Sequence, residues 1–99
     1  MDHQKCGVAK TIKLIGGKWS MLILHQLFAG TKRFGELQRS LQGISPKTLS
    51  VRLQELERGK VINKKVYAEV PLHVEYSLTE KGKSLSEIFQ KMAQWGGSE

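Results

Sequence analysis

Residues 43–62, GISPKTLSVRLQELERGKVI, decide how the rest of the chain is read. Ser45 is an N-cap residue, and Pro46 suits the first helical position, where a backbone N–H has no intrahelical partner to lose. Leu49, Leu53 and Leu56 then recur at i, i+4 and i+7, the inward stripe of an amphipathic helix. Gly59 supplies a stop. The opposite side presents Lys47, Ser50, Val51 and Gln54, with Thr48 and Arg52 on its flank. Leucines that hold a helix to a body, and long polar side chains facing away from it, are what a helix needs in order to lie in a groove of a polyanion.

Working outward, RFGELQRSLQG (33–43) reads as a short helix with Leu37 and Leu41 inward and Gly43 after its end, followed by a tight turn over Gln42–Ser45. Downstream, VINKKVYAEVPLHVEYSLTEKG (61–82) holds two β-rich runs separated by EVPLH, a hairpin of about 17 residues with Pro71 at or near its tip. Thr79 can cap a last helix whose stripe is Leu85, Ile88, Phe89, Met92 and Trp95. Gly82 near its start costs about 1 kcal/mol relative to alanine. At the other end, Val8, Ile12 and Ile15 form the stripe of a first helix that stops at Gly16-Gly17. A second helix starts near Lys18 with Trp19, Leu22, Ile23, Leu27 and Phe28 on its apolar face, and AGTKR (29–33) reads as a turn. Glycine ends helices readily because it can take the left-handed conformation, and it allows a sharp reversal with close backbone approach.

Composition sets the bounds. Ninety-nine residues with 39% hydrophobic content make one domain, spanning 1–99. The net charge of +7 is uneven: residues 1–65 carry 13 Lys and Arg against 4 Asp and Glu, residues 66–99 carry 3 against 5. A basic body with a mildly acidic tail fits a polyanionic partner. The longest apolar run, Met21–Leu24, is far too short for a bilayer, and the polar start MDHQKCG has no secretory h-region, so a cytoplasmic protein without membrane contact is expected. One cysteine, Cys6, excludes an intrachain disulfide, and His3, His25 and His73 are scattered; no metal or other cofactor is expected.

The order helix, helix, helix, capped basic helix, hairpin, helix is that of a winged helix-turn-helix, mainly α with a small β-hairpin wing (α+β). In the major groove each base pair presents a distinct pattern of donors and acceptors, so Lys47 and Arg52 can address guanine, Gln54 adenine, and Val51 a thymine methyl. Thr48 and Ser50 complete that face. The hairpin adds Lys64, Lys65 and His73, suited to phosphate or minor-groove contact, which positions a protein without specifying sequence.

The pieces CG, LIGGKWSMLIL, RFGELQRSLQGIS, KTLSVRLQELE, VEYSLTEKG and the terminal Trp95 together resemble the HxlR family of bacterial transcriptional regulators, a branch of the MarR-like winged-helix proteins. The resemblance runs from Cys6 to Trp95. The chain departs from the family pattern at Cys6-Gly7, where Cys-Pro is usual, and at Pro71-Leu72, where Pro-Pro is usual. The resemblance implies a homodimer on double-stranded operator DNA, with residues 6–15 and 79–95 as dimerisation helices and 18–78 as DNA-binding body and wing. The stripes agree with this independently: Val8, Ile12 and Ile15 in the first helix, and Leu85, Ile88, Phe89, Met92 and Trp95 in the last, are candidate interface residues. Gly16-Gly17 would then separate a dimer helix from the DNA-binding body, with Trp19 filling the joint.

Cys6 falls at or just before the first helix. A helix N-terminus and a nearby cation such as Lys5 favour the thiolate, which oxidants and electrophiles attack. Some members of the resembled family sense reactive electrophiles through a cysteine in this place, so Cys6 is the candidate redox sensor; His3 can lie near it. Three other readings stand beside this one: a winged helix used as a protein–protein module, a regulator switched by a non-covalent small ligand, and a thiol enzyme, for which no residue stands out as the base.

Overall fold

A computed structural model describes residues 6–97. Its order is α1 (Gly7–Ile15), α2 (Lys18–Leu27), β1 (Lys32–Arg33), α3 (Phe34–Ser40), α4 (Pro46–Arg58), β2 (Ile62–Tyr67), β3 (His73–Leu78), α5 (Glu80–Lys83) and α6 (Ser86–Gly97). The strands form one antiparallel sheet in the order β1-β3-β2. This is the expected winged helix-turn-helix. Its core joins Ile23, Leu24 and Leu27 of α2, Leu37 of α3 and Leu49, Leu53 and Leu56 of α4 to Val61, Ile62 and Tyr76.

The sheet has one strand more than expected. AGTKR is a turn only as far as Thr31; Lys32 and Arg33 pair with Tyr76 and Glu75 of β3. Two residues are too few to show alternation, and the pairing comes from the free edge that β3 offers, so no local signal announced it.

The two glycines at 16 and 17 divide their work. Gly17 takes φ +99°, the positive-φ backbone expected there, while Gly16 is extended. A Cβ at Gly16 would sit 2.2 Å from the carbonyl oxygen of Ile12, so close approach excludes a side chain there. Trp19, half-buried, packs against the core just beyond this break.

Gly59 stops α4 as expected, and packing adds a second reason for a glycine there and at Gly82. Gly59 follows α4, but its φ is −74°, and the left-handed residue is Lys60 at φ +62°. The side chain of Leu14 in α1 occupies the space that a Cβ at Gly59 would need, 2.1 Å away. The last helix is also divided. Thr79 caps α5, accepting from the N–H of Gly82 at 3.0 Å, and α6 starts separately at Ser86. The Thr79 hydroxyl donates to the Lys60 carbonyl at 2.7 Å, and its N–H to the Val61 carbonyl at 3.1 Å. This stitching brings α5 so close that a Cβ at Gly82 would lie 2.1 Å from the Val61 oxygen. Gly82 is a requirement of packing rather than a flaw in a helix.

Two residues expected at a dimer interface belong to the subunit's own core. Ile15 ties α1 to the body, and Phe89 ties α6 to it through an edge-on contact with Phe28, ring centroids 5.1 Å apart. Leu85 packs partly against the same core.

Candidate nucleic-acid interface

α3, the turn and α4 form the helix-turn-helix unit. Gly43 turns the chain at φ +91°, and the N–H of Ile44 closes on the Leu41 carbonyl at 3.2 Å. Leu41 and Ile44 are both buried, which pins the two ends of the turn to the core. The Gln38 amide nitrogen reaches across from α3 and donates to the Ile44 carbonyl, so a side chain clamps α3 to the turn. The clamp was not foreseen: a glutamine on a helix flank has no periodic signature that distinguishes it from a solvated one.

The helix α4 starts as expected. The Ser45 hydroxyl accepts from the Thr48 N–H at 3.1 Å, and Pro46 opens the first turn. Leu49, Leu53 and Leu56 are buried, while Lys47, Ser50, Val51 and Gln54 are exposed on the far side. That stripe is the expected one. Its flanking members are partly engaged: the Thr48 hydroxyl lies 2.9 Å from that of Ser45 within the cap, and Arg52 is half-buried with Nη1 2.5 Å from the Glu55 carboxylate. Four residues of α4 therefore face outward from the buried leucines, and Thr48 and Arg52 border them.

The wing divides its basic residues between two faces. In the register of β2 and β3, Lys64 stands opposite Tyr76 and Lys65 opposite Glu75. Partners in a register share a face, so the two lysines point to opposite sides. Lys65 Nζ lies 4.9 Å over the Tyr67 ring. His73 stacks on Tyr67 at 4.6 Å between centroids, with Nε2 3.3 Å from Glu75 and Nδ1 3.6 Å from Glu69. Both ring nitrogens thus face carboxylates of the wing itself. Tyr76 is buried under the sheet. Burial first, and the Glu57 carboxylate at the end of α4 second, push its hydroxyl above the ordinary 10.0.

The third strand brings in cations that the sequence reading did not use. Arg33 pairs with Glu75 from the side opposite Lys65, and Arg33 and Arg39 line a cleft of about 450 Å³ between α3 and the wing residues Leu72 and Val74. The signal that would have found Arg33 is the β1–β3 pairing, which is not local.

At the ends of the chain, α1 leaves Val8 (68%) and Ile12 (62%) exposed, and α6 leaves Ile88 (49%), Met92 (46%) and Trp95 (83%) exposed. Cys6 is a free, half-buried thiol at the N-cap position of α1, where its carbonyl accepts from the Lys10 N–H at 2.9 Å. His3 and Lys5 lie outside the described residues. Among the described residues no group of His, Cys, Asp and Glu is arranged to hold a metal ion, and no helix is long and apolar enough to cross a membrane.

Comparison with known proteins agrees with this geometry. Residues 14–99 match the family model described as HxlR-like helix-turn-helix. The HTH-type transcriptional regulator YkvN of Bacillus subtilis (strain 168) is 47% identical over 97 residues, covering 98% of this chain and 82% of the relative. Among solved structures, the redox regulator HypR in its oxidised form is 40% identical with a TM-score of 0.89, covering 95% of this chain and 97% of that one. Diamide-treated YodB from B. subtilis is 39% identical with a TM-score of 0.78, covering 97% of this chain and 96% of that one. A capped, outward-polar α4 set between a clamped turn and a wing is therefore no isolated likeness: the chain belongs to the HxlR-like helix-turn-helix family, whose members are DNA-binding transcriptional regulators and not enzymes.

Proposed function

We propose that this regulator acts in the cytoplasm as a homodimer, laying α4 of each subunit into the major groove of operator DNA and changing its affinity when Cys6 meets an oxidant or electrophile. The observation that carries the DNA reading is the outward stripe of α4: Lys47, Ser50, Val51 and Gln54 exposed above the buried Leu49, Leu53 and Leu56. Thr48 and Arg52 flank this reading face, and Lys64 and Lys65 contribute phosphate contacts from the wing. The whole chain is one domain, with 18–78 as DNA-binding body and wing and the end helices as dimerisation elements. Support for the dimer comes from Val8, Ile12, Ile88 and Met92, apolar residues that the subunit leaves open to water. Monomeric surfaces tolerate scattered apolar residues, and exposed apolar stripes on both end helices support the reading that they meet a second subunit.

Support for the switch comes from two sides. Cys6 stands free at the start of α1, and relatives of the same fold include a redox regulator, HypR, in an oxidised form and a diamide-treated YodB. A lone cysteine has two routes. It can bridge to Cys6 of the second subunit, which requires Cα atoms within about 7 Å, or it can take a small-molecule adduct.

The test is operator affinity of wild type and Cys6→Ser, before and after mild oxidant, on fragments selected from the source genome. The wild type should change and Cys6→Ser should not. Equal affinities in all four samples would leave Cys6 an inert thiol. A dimer engaging about 6–10 phosphates should also lose about 10³–10⁵-fold in affinity between about 50 and 200 mM salt. Binding indifferent to salt would contradict DNA as the partner and favour a protein–protein module.

A further inference from the structure

We propose that His73 is a proton-operated latch of the wing, which when protonated ties the wing loop to β3 and tightens the hold on operator DNA. Residues 68–72 join β2 to β3, and Glu69 lies on the way to the tip at Val70, Pro71 and Leu72. His73 reaches two carboxylates at once. Its Nδ1 lies 3.6 Å from Oε1 of Glu69 in the loop, and its Nε2 lies 3.3 Å from Oε2 of Glu75 in β3. The Tyr67 ring, stacked on the imidazole with 15° between planes, holds the plane in which both nitrogens point, and the His73 side chain is only 16% exposed.

A neutral imidazole has one N–H and one bare nitrogen, whereas carboxylates only accept. It can donate to Glu69 or to Glu75, and it then turns a lone pair toward the other. The imidazolium donates to both. Charge-assisted N–H···O bonds run about 2.7–2.9 Å, so both contacts can shorten once the second proton is in place.

The other charged groups around the ring do not replace this pairing. Lys65 on β2 holds its ammonium over Tyr67, and with Arg33 on β1 it shares the row of Glu75. Arg39 and Glu36 of α3 line the cleft that His73 also lines, and Glu36 Oε1 accepts from the Arg33 N–H at 2.9 Å. Arg33, Arg39 and Lys65 thus stand against Glu36, Glu69 and Glu75. Among the described residues, Glu69 and Glu75 are the ones in ion-pair reach of the ring. Closure is therefore complete on the acidic side of the range where histidine ordinarily changes charge, about pH 5–8, and is lost on the basic side. In the open wing Glu69 is an unpaired negative charge beside the lysines that meet phosphates. In the closed wing it is neutralised, and the tip is ordered before DNA arrives. The DNA step rests on the reading of Lys64 and Lys65 as phosphate contacts.

Two arms test the latch, both under reducing conditions so that Cys6 plays no part, and the first uses no DNA. In ¹⁵N relaxation of the full chain at about pH 8 and about pH 5.5, the order parameters of Glu69, Val70 and Leu72 should rise from below about 0.6 toward about 0.85 as pH falls. In His73→Gln and in Glu69→Gln they should stay low at both values. The second arm is operator affinity by fluorescence anisotropy at constant ionic strength. Wild type, and the control His25→Gln at an exposed position of α2, should bind about tenfold more tightly at the lower pH, while His73→Gln should not change. Glu69→Gln should also lose the pH dependence, yet bind at the higher pH at least as tightly as wild type, which a residue needed only for folding would not do. The proposal is overturned by wild-type loop order that ignores pH, by an undiminished pH response in His73→Gln or Glu69→Gln, or by wild-type operator affinity that is flat across the range. Absence of operator binding at every pH would refute the DNA reading instead, and the first arm would still decide the latch.

Discussion

Ser45 separates the stability of α4 from its use. Its hydroxyl accepts from the Thr48 N–H at 3.1 Å and sits exposed at the helix start. Ser45→Ala removes that acceptor, which costs about 1 kcal/mol. In a domain of this size each 1 kcal/mol lowers Tm by about 4–8 °C. Ser45→Asp keeps an acceptor at the same place and adds a negative charge at the positive end of the helix dipole, worth about 0.3–1 kcal/mol. Its Tm should equal or exceed that of the wild type.

DNA binding should rank the variants differently. If the start of α4 meets the duplex, the new carboxylate competes with phosphates for the same helix N-terminus, once in each subunit. Losing one phosphate contact per subunit lowers the slope of log affinity against log salt by about 1.8 for the dimer. An affinity loss of at least about tenfold, about 1.4 kcal/mol, should accompany it. Thermal unfolding by circular dichroism and fluorescence anisotropy over a salt series measure the two quantities. Ser45→Asp with wild-type affinity and slope would refute the placement of α4 against DNA. Ser45→Asp melting as low as Ser45→Ala would refute the cap.

Replacing Lys47 or Gln54 with alanine should relax base preference by about 1–3 kcal/mol per lost bidentate contact, whereas Lys64→Ala or Lys65→Ala should weaken all sequences alike; competition binding on randomised operators distinguishes the two patterns. Met92→Asp, on the exposed side of α6, should give a folded monomer with weakened operator binding by light scattering and anisotropy. A dimer of unchanged affinity contradicts the interface. Phe89→Asp should instead unfold the chain, since it removes a core ring, about 3–5 kcal/mol, and buries a carboxylate. Gly82→Ala should lower stability by about 1–3 kcal/mol in denaturant melts, because the added methyl meets the Val61 carbonyl and the cost exceeds the roughly 1 kcal/mol gained in helix propensity.

Most of the fold can be read locally because most of its determinants are local. Ser45, Pro46 and the three leucines write α4 within fourteen residues, and the hairpin shows in the β-rich runs on either side of EVPLH. What escaped is what depends on contacts between distant parts. The pairing of Lys32-Arg33 with β3 depends on an open edge. Gly59 ends α4 as read, but its contact with Leu14 and the contact of Gly82 with the Val61 carbonyl are set by packing, and helix propensity misjudges Gly82. Periodicity correctly found the stripes of α1 and α6 but cannot say which members the subunit keeps for itself. Ile15 and Phe89 turn inward while Val8, Ile12, Ile88 and Met92 do not. At the site the same limit applies: the outward residues of α4 follow from the helical repeat, whereas the engagement of His73 by Glu69, Glu75 and Tyr67 follows from strand register and the wing loop.

That division of each end helix constrains how a signal at Cys6 could reach DNA. Cys6 opens α1, and the other end of α1 is tied to the body by Ile15, in the core, and by Leu14 against Gly59. The nine helical residues between them span about 14 Å. Under the proposed switch, a modification at Cys6 has two mechanical outlets to test. One is the apolar face of α1, which would reset the angle between subunits and the spacing of the two reading helices. The other is the Leu14–Gly59 contact, which sits at the C-terminal cap of α4 itself. The first outlet changes affinity for a two-fold site but not for half of one. The second changes both. Comparing oxidised and reduced protein on full operators and on isolated half-sites separates them, and the bare backbone at Gly59 marks where the second would act.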